Sequence, residues 1–218
     1  MTWVGQTRQT PGQLRFTGTL GSTGLHAHAA IQLLHIRTGH VVLRDAAGRE
    51  QAVTDAAAIP TGAAHEIVAV PGTTGTITYL DPDSSQGAAY AAALSDDPAS
   101  WTSVPPPQPS AVELNPALRR ALQLAPQHLH GPLLLTELAQ LAGISATRLG
   151  HLFTDELGLT YPTWRRWARL QHALAEVTAG ASLTTAAHAA GFADSAHLTR
   201  SCRAMFGISP SQALAATR

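Results

Sequence analysis

The sequence predicts a multidomain α and β chain, a small β-barrel or sandwich followed by an all-helical half. Three observations carry that expectation: short apolar runs broken by turn residues as far as Leu80, a proline-rich stretch at 96–110, and apolar residues at helical spacing beyond residue 112. The 218 residues allow one large domain or two small ones. With 44% hydrophobic and 13% charged residues, the chain is excluded from the highly charged disordered class. No apolar run reaches the roughly 18 residues that span a bilayer, and the N-terminus lacks a basic-then-apolar leader, so a cytoplasmic protein without a membrane partner is expected.

In chain order, strands are expected at 15–20, 31–36, 41–43, 50–53, 65–70 and 76–80, with a short helix at 87–94. Pro98, Pro105, Pro106, Pro107 and Pro109 mark an extended linker, which sets the boundaries at 1–95, 96–110 and 111–218. Helices are expected at 113–125, 134–142, 145–157, 161–178, 183–190, 195–206 and 210–216. Their starts carry cap signals: Asn115-Pro116, Thr136 before Glu137, Ser145, Ser182, Asp194 and Ser209-Pro210.

The single cysteine, Cys202, excludes an intramolecular disulfide and a thiolate metal cluster. Core space is its expected role, and any metal must be held by nitrogen and oxygen. Net charge is zero overall, yet residues 1–110 carry five Arg against eight acids, net −3, and residues 111–218 carry nine Arg against six, net +3. The helical half is therefore the part suited to an anionic partner.

That half contains a repeat. Residues 137–158 form a helix, a turn at Gly143 and a second helix, and residues 184–207 follow the same plan with the turn at Gly191. A shift of 49 positions lays Leu149 on Leu198, Leu157 on Phe206, Gly158 on Gly207 and Leu159 on Ile208. Ala139 and Ala187 let two helices cross closely, and each turn glycine takes a conformation barred to residues with a Cβ. The plan is helix-turn-helix, whose second helix enters a DNA major groove. Residues 161–178 connect the two copies.

Across residues 113–215 the chain resembles the AraC/XylS family of bacterial transcription regulators. The resemblance rests on LAQLAGISATRLGHLFTDELG, on Arg169-Leu170 with Ala173 in the connecting helix, and on AGFADSAHLTR followed by FGISP. It implies that Thr147, Gly150 and His151 face bases from the first reading helix, and that Ser195, His197 and Arg200 do so from the second. Ser145, Arg148 and Thr199 are implied near phosphates or at the rim. Gly150 offers no side chain for readout and costs about 1 kcal/mol of helix stability relative to Ala. Cys202 stands where the family usually has Phe.

In the β half, His26-Ala27-His28 falls where a strand is expected, and alternation turns both imidazoles to one face, with Gln32 at the same parity. His26-x-His28-x3-Gln32-x6-Gly39, followed by Pro60-x-Gly62-x2-His65, resembles the two motifs of the cupin family, a small β-barrel with an interior ligand pocket. The first motif normally carries Glu where Gln32 stands. The resemblance implies His26, His28 and His65 as ligands to one divalent ion, zinc, nickel, iron(II) or copper, with Gln32 a weaker oxygen donor. Histidines that only hydrogen-bond a small molecule, or one another, are the alternative. His35 and His40 have the wrong parity or fall past a turn.

Together the two resemblances imply a one-component regulator rather than an enzyme. Its partners would be double-stranded promoter DNA and a metal ion or small effector, with the effector's residues unassigned. A homodimer through the cupin face or the 113–125 helix stays open, since no heptad pattern is present. The alternative is a metal-dependent cupin enzyme, a dioxygenase or isomerase, fused to a DNA-binding domain. It would use the same histidines, but Glu66, the acid–base group beside His65, points to the opposite strand face. A third reading, an inert cupin used for dimerisation, predicts neither metal nor effector.

Overall fold

The computed structural model describes residues 3–103, 113–129, 131 and 133–215, with backbone alone at 214 and 215. By contacts the chain divides into two compact units, Met1–Ala111 together with Cys202–Arg218, and Val112–Ser201. Linker residues 104–110, and residue 216 at the expected end of the last helix, lie outside the described residues.

The first unit is built from eight strands: β1 (Val4–Thr10), β2 (Gln13–Thr19), β3 (Ile31–Thr38), β4 (Val41–Asp45), β5 (Glu50–Val53), β6 (Ala56–Ile59), β7 (His65–Ala69) and β8 (Thr74–Leu80). They form two antiparallel sheets, ordered β1-β2-β8-β3-β6 and β5-β4-β7. Alternation on β4 and β7 sends Val41, Leu43, His65, Ile67 and Ala69 inward. Leu20, Leu34, Ile59 and Ile77 complete the buried face.

Six strands match the expected ones, and two do not follow from the pattern. Strand β1, VGQTRQT, is polar and largely exposed, and exists as a hairpin arm paired along its length with β2. Strand β6, AAAI, has weak β propensity, but pairing with β3 and burial override it. The linker expectation also changes. Residues 98–100 form a 3-10 turn, Trp101 is buried, and its carbonyl accepts the Ala58 N–H, so the chain is packed that far. A single large aromatic ring among polar residues overrides the proline content. Helix α1 (Ser85–Ala93) follows β8 as expected.

The remaining helices are α2 (Pro116–Leu124), α3 (Leu135–Ala142), α4 (Ala146–Leu157), α5 (Tyr161–Thr178), α6 (Leu183–Ala189), α7 (Ser195–Phe206) and α8 (Pro210–Ala215). The caps at Asn115, Ser145, Ser182 and Asp194 accept from Ala117, Arg148, Thr185 and His197 N–H groups. Thr136 is not a cap. The chain turns helical after Leu134, whose N–H donates to the Glu137 carboxylate reaching back.

In the second unit, Phe153, Tyr161, Trp164 and Trp167 are buried, with Phe153 meeting Tyr161 and Trp164 at ring-centroid distances of 5.4 and 5.5 Å. Arg169 on α5 donates Nε–H to the Leu129 carbonyl at 2.7 Å and an Nη2–H to the Gly131 carbonyl at 2.6 Å. Arg165 donates to that same Gly131 oxygen, and the Tyr161 hydroxyl to Leu133. The arginines therefore tie the α2–α3 connection down. Arg169→Ala is expected to cost about 2 kcal/mol, read as a lower urea midpoint, because two charge-assisted bonds to backbone are lost.

Candidate metal centre and nucleic-acid interface

His26 and His28 do not sit on a strand. They lie in the connection from β2 to β3, which runs beside β7: His26 forms an isolated bridge with His65, the Thr23 N–H donates to the Ile67 carbonyl, and the Ile67 and Ala69 N–H groups donate to the Thr23 and Ser22 hydroxyls. That bridge, N–H to carbonyl in both directions at 3.0 and 2.9 Å, holds the connection extended, so both imidazoles still turn inward. Gln32 comes from β3 in the larger sheet and His65 from β7 in the smaller, so the site joins the two sheets.

All three imidazoles are buried, and ligand atoms from each lie within 4.8 Å of one another. Their hydrogens follow from their outer contacts. His26 Nδ1 lies 2.9 Å from the Gly24 carbonyl, His28 Nδ1 2.7 Å from that of Ala30, and His65 Nδ1 3.0 Å from that of Ala63. A carbonyl only accepts, so each Nδ1 carries the hydrogen and each neutral ring keeps its lone pair on Nε2.

Those lone pairs converge. Gln32 Oε1, also an acceptor, stands 2.7 Å from His28 Nε2 and 3.1 Å from His65 Nε2, while His26 Nε2 and Gln32 Nε2 are buried without a partner. Four acceptors around one point are mutually repulsive unless a cation lies among them. A Gln32 amide turned end for end would donate to His28 and His65 but leave His26 unmatched. The outer N–H-to-carbonyl bonds are the supports that metal-ligating histidines use.

Burial is the main reason that the rings stay neutral. It holds His28 down at about 4, helped by the repulsion that a protonated His26 would exert. It pushes His65 well below the ordinary histidine value, with His28 and His26 adding to it, and lowers His26 against two opposing backbone bonds. Tyr79 meets His28 edge-on at 5.3 Å between ring centroids, and Trp101 meets His65 at 6.2 Å. Neither aromatic was among the expected site residues. Tyr79 was legible as an inward position on the last strand, and Trp101 as an isolated ring in a polar stretch. Glu66 pairs with Arg44 at 2.8 Å, away from the histidines, as its strand parity predicts. His35 is exposed.

On α4, Thr147, Arg148 and His151 are exposed, while Leu149, Leu152 and Phe153 are buried. Thr147 and His151, one turn apart, share a face. The Ser145 hydroxyl is engaged at the helix start, accepting the Arg148 N–H. Gly150 is half-buried, and a Cβ there would meet Leu135 at an ordinary 3.5 Å. On α7, Arg200 is exposed, and Ser195, His197 and Thr199 are half-buried. The His197 ring stands edge-on to Phe192 at 5.2 Å, and the Thr199 hydroxyl donates to the Ser195 carbonyl. Cys202 is fully buried, its thiol pushed up to about 12 by burial, in keeping with a packing role. The turns at Gly143 and Gly191 have φ of +79° and +75°.

Residues 138–216 match the model of a family described as a helix-turn-helix domain. The chain carries an AraC-type helix-turn-helix domain. No curated protein sequence matches the chain. Among solved structures, ToxT from Vibrio cholerae O395 is 8% identical, with 95% of this chain and 99% of that one covered at a TM-score of 0.62. ToxT from strain SCE256, solved with an unsaturated fatty acid bound, is also 8% identical, covering 95% and 96% at 0.58. An AraC-type regulator from Chromobacterium violaceum is 26% identical over 44% of this chain and 88% of its own, at 0.43. The ToxT likeness shows a shared fold, a β-rich part followed by helices. No described helix is long and apolar enough to cross a membrane.

Proposed function

We propose that the protein is a metal-responsive regulator whose β unit binds one divalent ion through His26, His28 and His65, with Gln32 Oε1 as a fourth donor. The supporting observation is the fixed tautomer of all three rings, which gathers four buried acceptors with no hydrogen among them. Zinc, nickel and iron(II) all suit a neutral nitrogen and oxygen donor set. A separate cleft of about 240 Å³ between Leu43, Gln51 and Trp101 is smaller than most organic ligand sites, and its charged groups Asp45 and Arg49 already pair.

In this reading Thr147, His151, Ser195, His197 and Arg200 contact bases, while Ser145, Arg148 and Thr199 lie near phosphates, and Gly150 lets the backbone approach. Calorimetric titration with Zn2+ tests the sensor: one ion per chain is expected, with binding lost in His65→Ala. No uptake by the parent protein would end the proposal. For DNA, a duplex selected from a random library is expected to bind Arg200→Ala roughly tenfold or more weakly, with Zn2+ uptake unchanged. Unaltered affinity in an anisotropy titration would remove Arg200 from the interface.

A further inference from the structure

Helix α7 starts in the second unit and ends in the first, and its last turn faces a supply problem common to helices, carbonyls with no intrahelical partner. Two of these are satisfied by the connection that carries the metal-site histidines. The Gly24 N–H donates to the Gly207 carbonyl at 3.0 Å, and the Ala27 N–H to the Ala204 carbonyl at 3.2 Å. The same Gly24 accepts the Nδ1–H of His26 through its own carbonyl. One peptide segment thus orients a histidine on one side and caps α7 on the other.

The approach is close. Gly207 has φ +68°, and a Cβ on it would lie 2.6 Å from the Gly24 oxygen, 2.7 Å from Thr23 Cβ and 2.9 Å from His26 Nδ1. A second contact runs in parallel, since Tyr79 stands against His28 at 5.3 Å and against Phe206 of α7 at 5.1 Å between ring centroids.

We propose that metal occupancy is relayed to the end of α7 through residues 23–27, so that binding of the ion and binding of duplex DNA are linked. The inference rests on the metal and DNA sites proposed above. An ion drawn to His26 Nε2 fixes the ring, the ring fixes the Gly24 peptide, and that peptide holds the last turn of the helix whose first turn presents Ser195 and His197. Linkage is reciprocal, so a change at the end of α7 must also alter metal affinity.

Hydrogen exchange on the full chain tests this, with Zn2+ as the probe against EDTA and uptake measured on the same samples. Saturating Zn2+ is expected to slow exchange at least fivefold in peptides covering 20–29 and 200–209. It is also expected to change affinity for the selected duplex at least about fivefold. Gly207→Ala, which alters no ligand, is expected to weaken Zn2+ binding about tenfold and to reduce the effect on DNA below twofold. Zn2+ uptake without slowed exchange at 200–209, or with unchanged duplex affinity, overturns the relay and leaves the metal site standing. No Zn2+ uptake at all overturns both. Should Gly207→Ala fail to fold, the exchange measurement on the parent chain decides.

Discussion

Between pH 6.5 and about 4, the metal-free protein is expected to lose about 3 kcal/mol of unfolding free energy through His28 alone. The folded-state value of this ring lies below its unfolded one, so the unfolded chain takes up the proton first. The contribution is therefore complete above pH 6.5, declines as the pH falls, and has gone once the folded value near 4 is passed. His26 and His65 are displaced in the same direction and steepen the loss. Urea unfolding in EDTA across this range, followed by tryptophan fluorescence, measures it. His28→Leu should flatten the dependence relative to the parent. Stability equal at pH 7 and pH 4.5 in the parent would contradict a buried neutral cluster. Zn2+ should protect at neutral pH and lose its effect on acidification, because protons compete for the same lone pairs.

The second large effect is expected from Gln32→Glu. Gln32 is fully buried, and its amide oxygen is neutral among three neutral rings. A carboxylate there adds one negative charge beside a divalent ion. Zn2+ affinity should rise by about tenfold or more, a gain of about 1.4 kcal/mol that remains after the desolvation of the carboxylate is offset. Without metal the same charge favours protonated imidazole, so the acid-dependent loss of stability should shrink. Gln32→Leu should weaken Zn2+ binding, while the metal-free protein keeps its stability because an unpartnered amide nitrogen is removed with the oxygen. Calorimetric titration of the two variants beside the parent gives both answers. Equal affinities in all three would remove Gln32 from the site.

The amide also has a physical rationale for a sensor. A carboxylate would favour a permanently filled site, whereas a neutral amide oxygen holds a cation less strongly. In the proposed metal-responsive role, such a site would pass between empty and filled states at moderate cost.

Local chemistry made much of this legible before any tertiary structure. The helix starts at Asn115, Ser145, Ser182 and Asp194 were readable because a cap is an interaction over two or three residues. Buried strands such as β4 and β7 were readable from period-two alternation. By contrast β1 and β6 depend on the strand beside them, and Trp101 on a pocket formed by residues 58 and 65, none of which leaves a local signal.

For the proposed metal site, the resemblance to the two cupin motifs nominated His26, His28, Gln32 and His65, and folding brings these four side chains together, though not by the strand expected at His26 and His28. No strand runs through the first two. Their inward direction comes from the backbone bridge between His26 and His65, a contact across 39 positions. Which nitrogen carries the hydrogen, and hence whether the rings offer lone pairs or N–H groups, was likewise decided by carbonyls that only folding brings into reach. The sequence determined the residue types, the duplicated helix-turn-helix and the division of charge, since these depend on identity and short-range periodicity. Tertiary structure decided the tautomers, the burial that keeps the rings neutral, and the meeting of Gly24 with Gly207, because each is a property of distant backbone segments held a few ångströms apart.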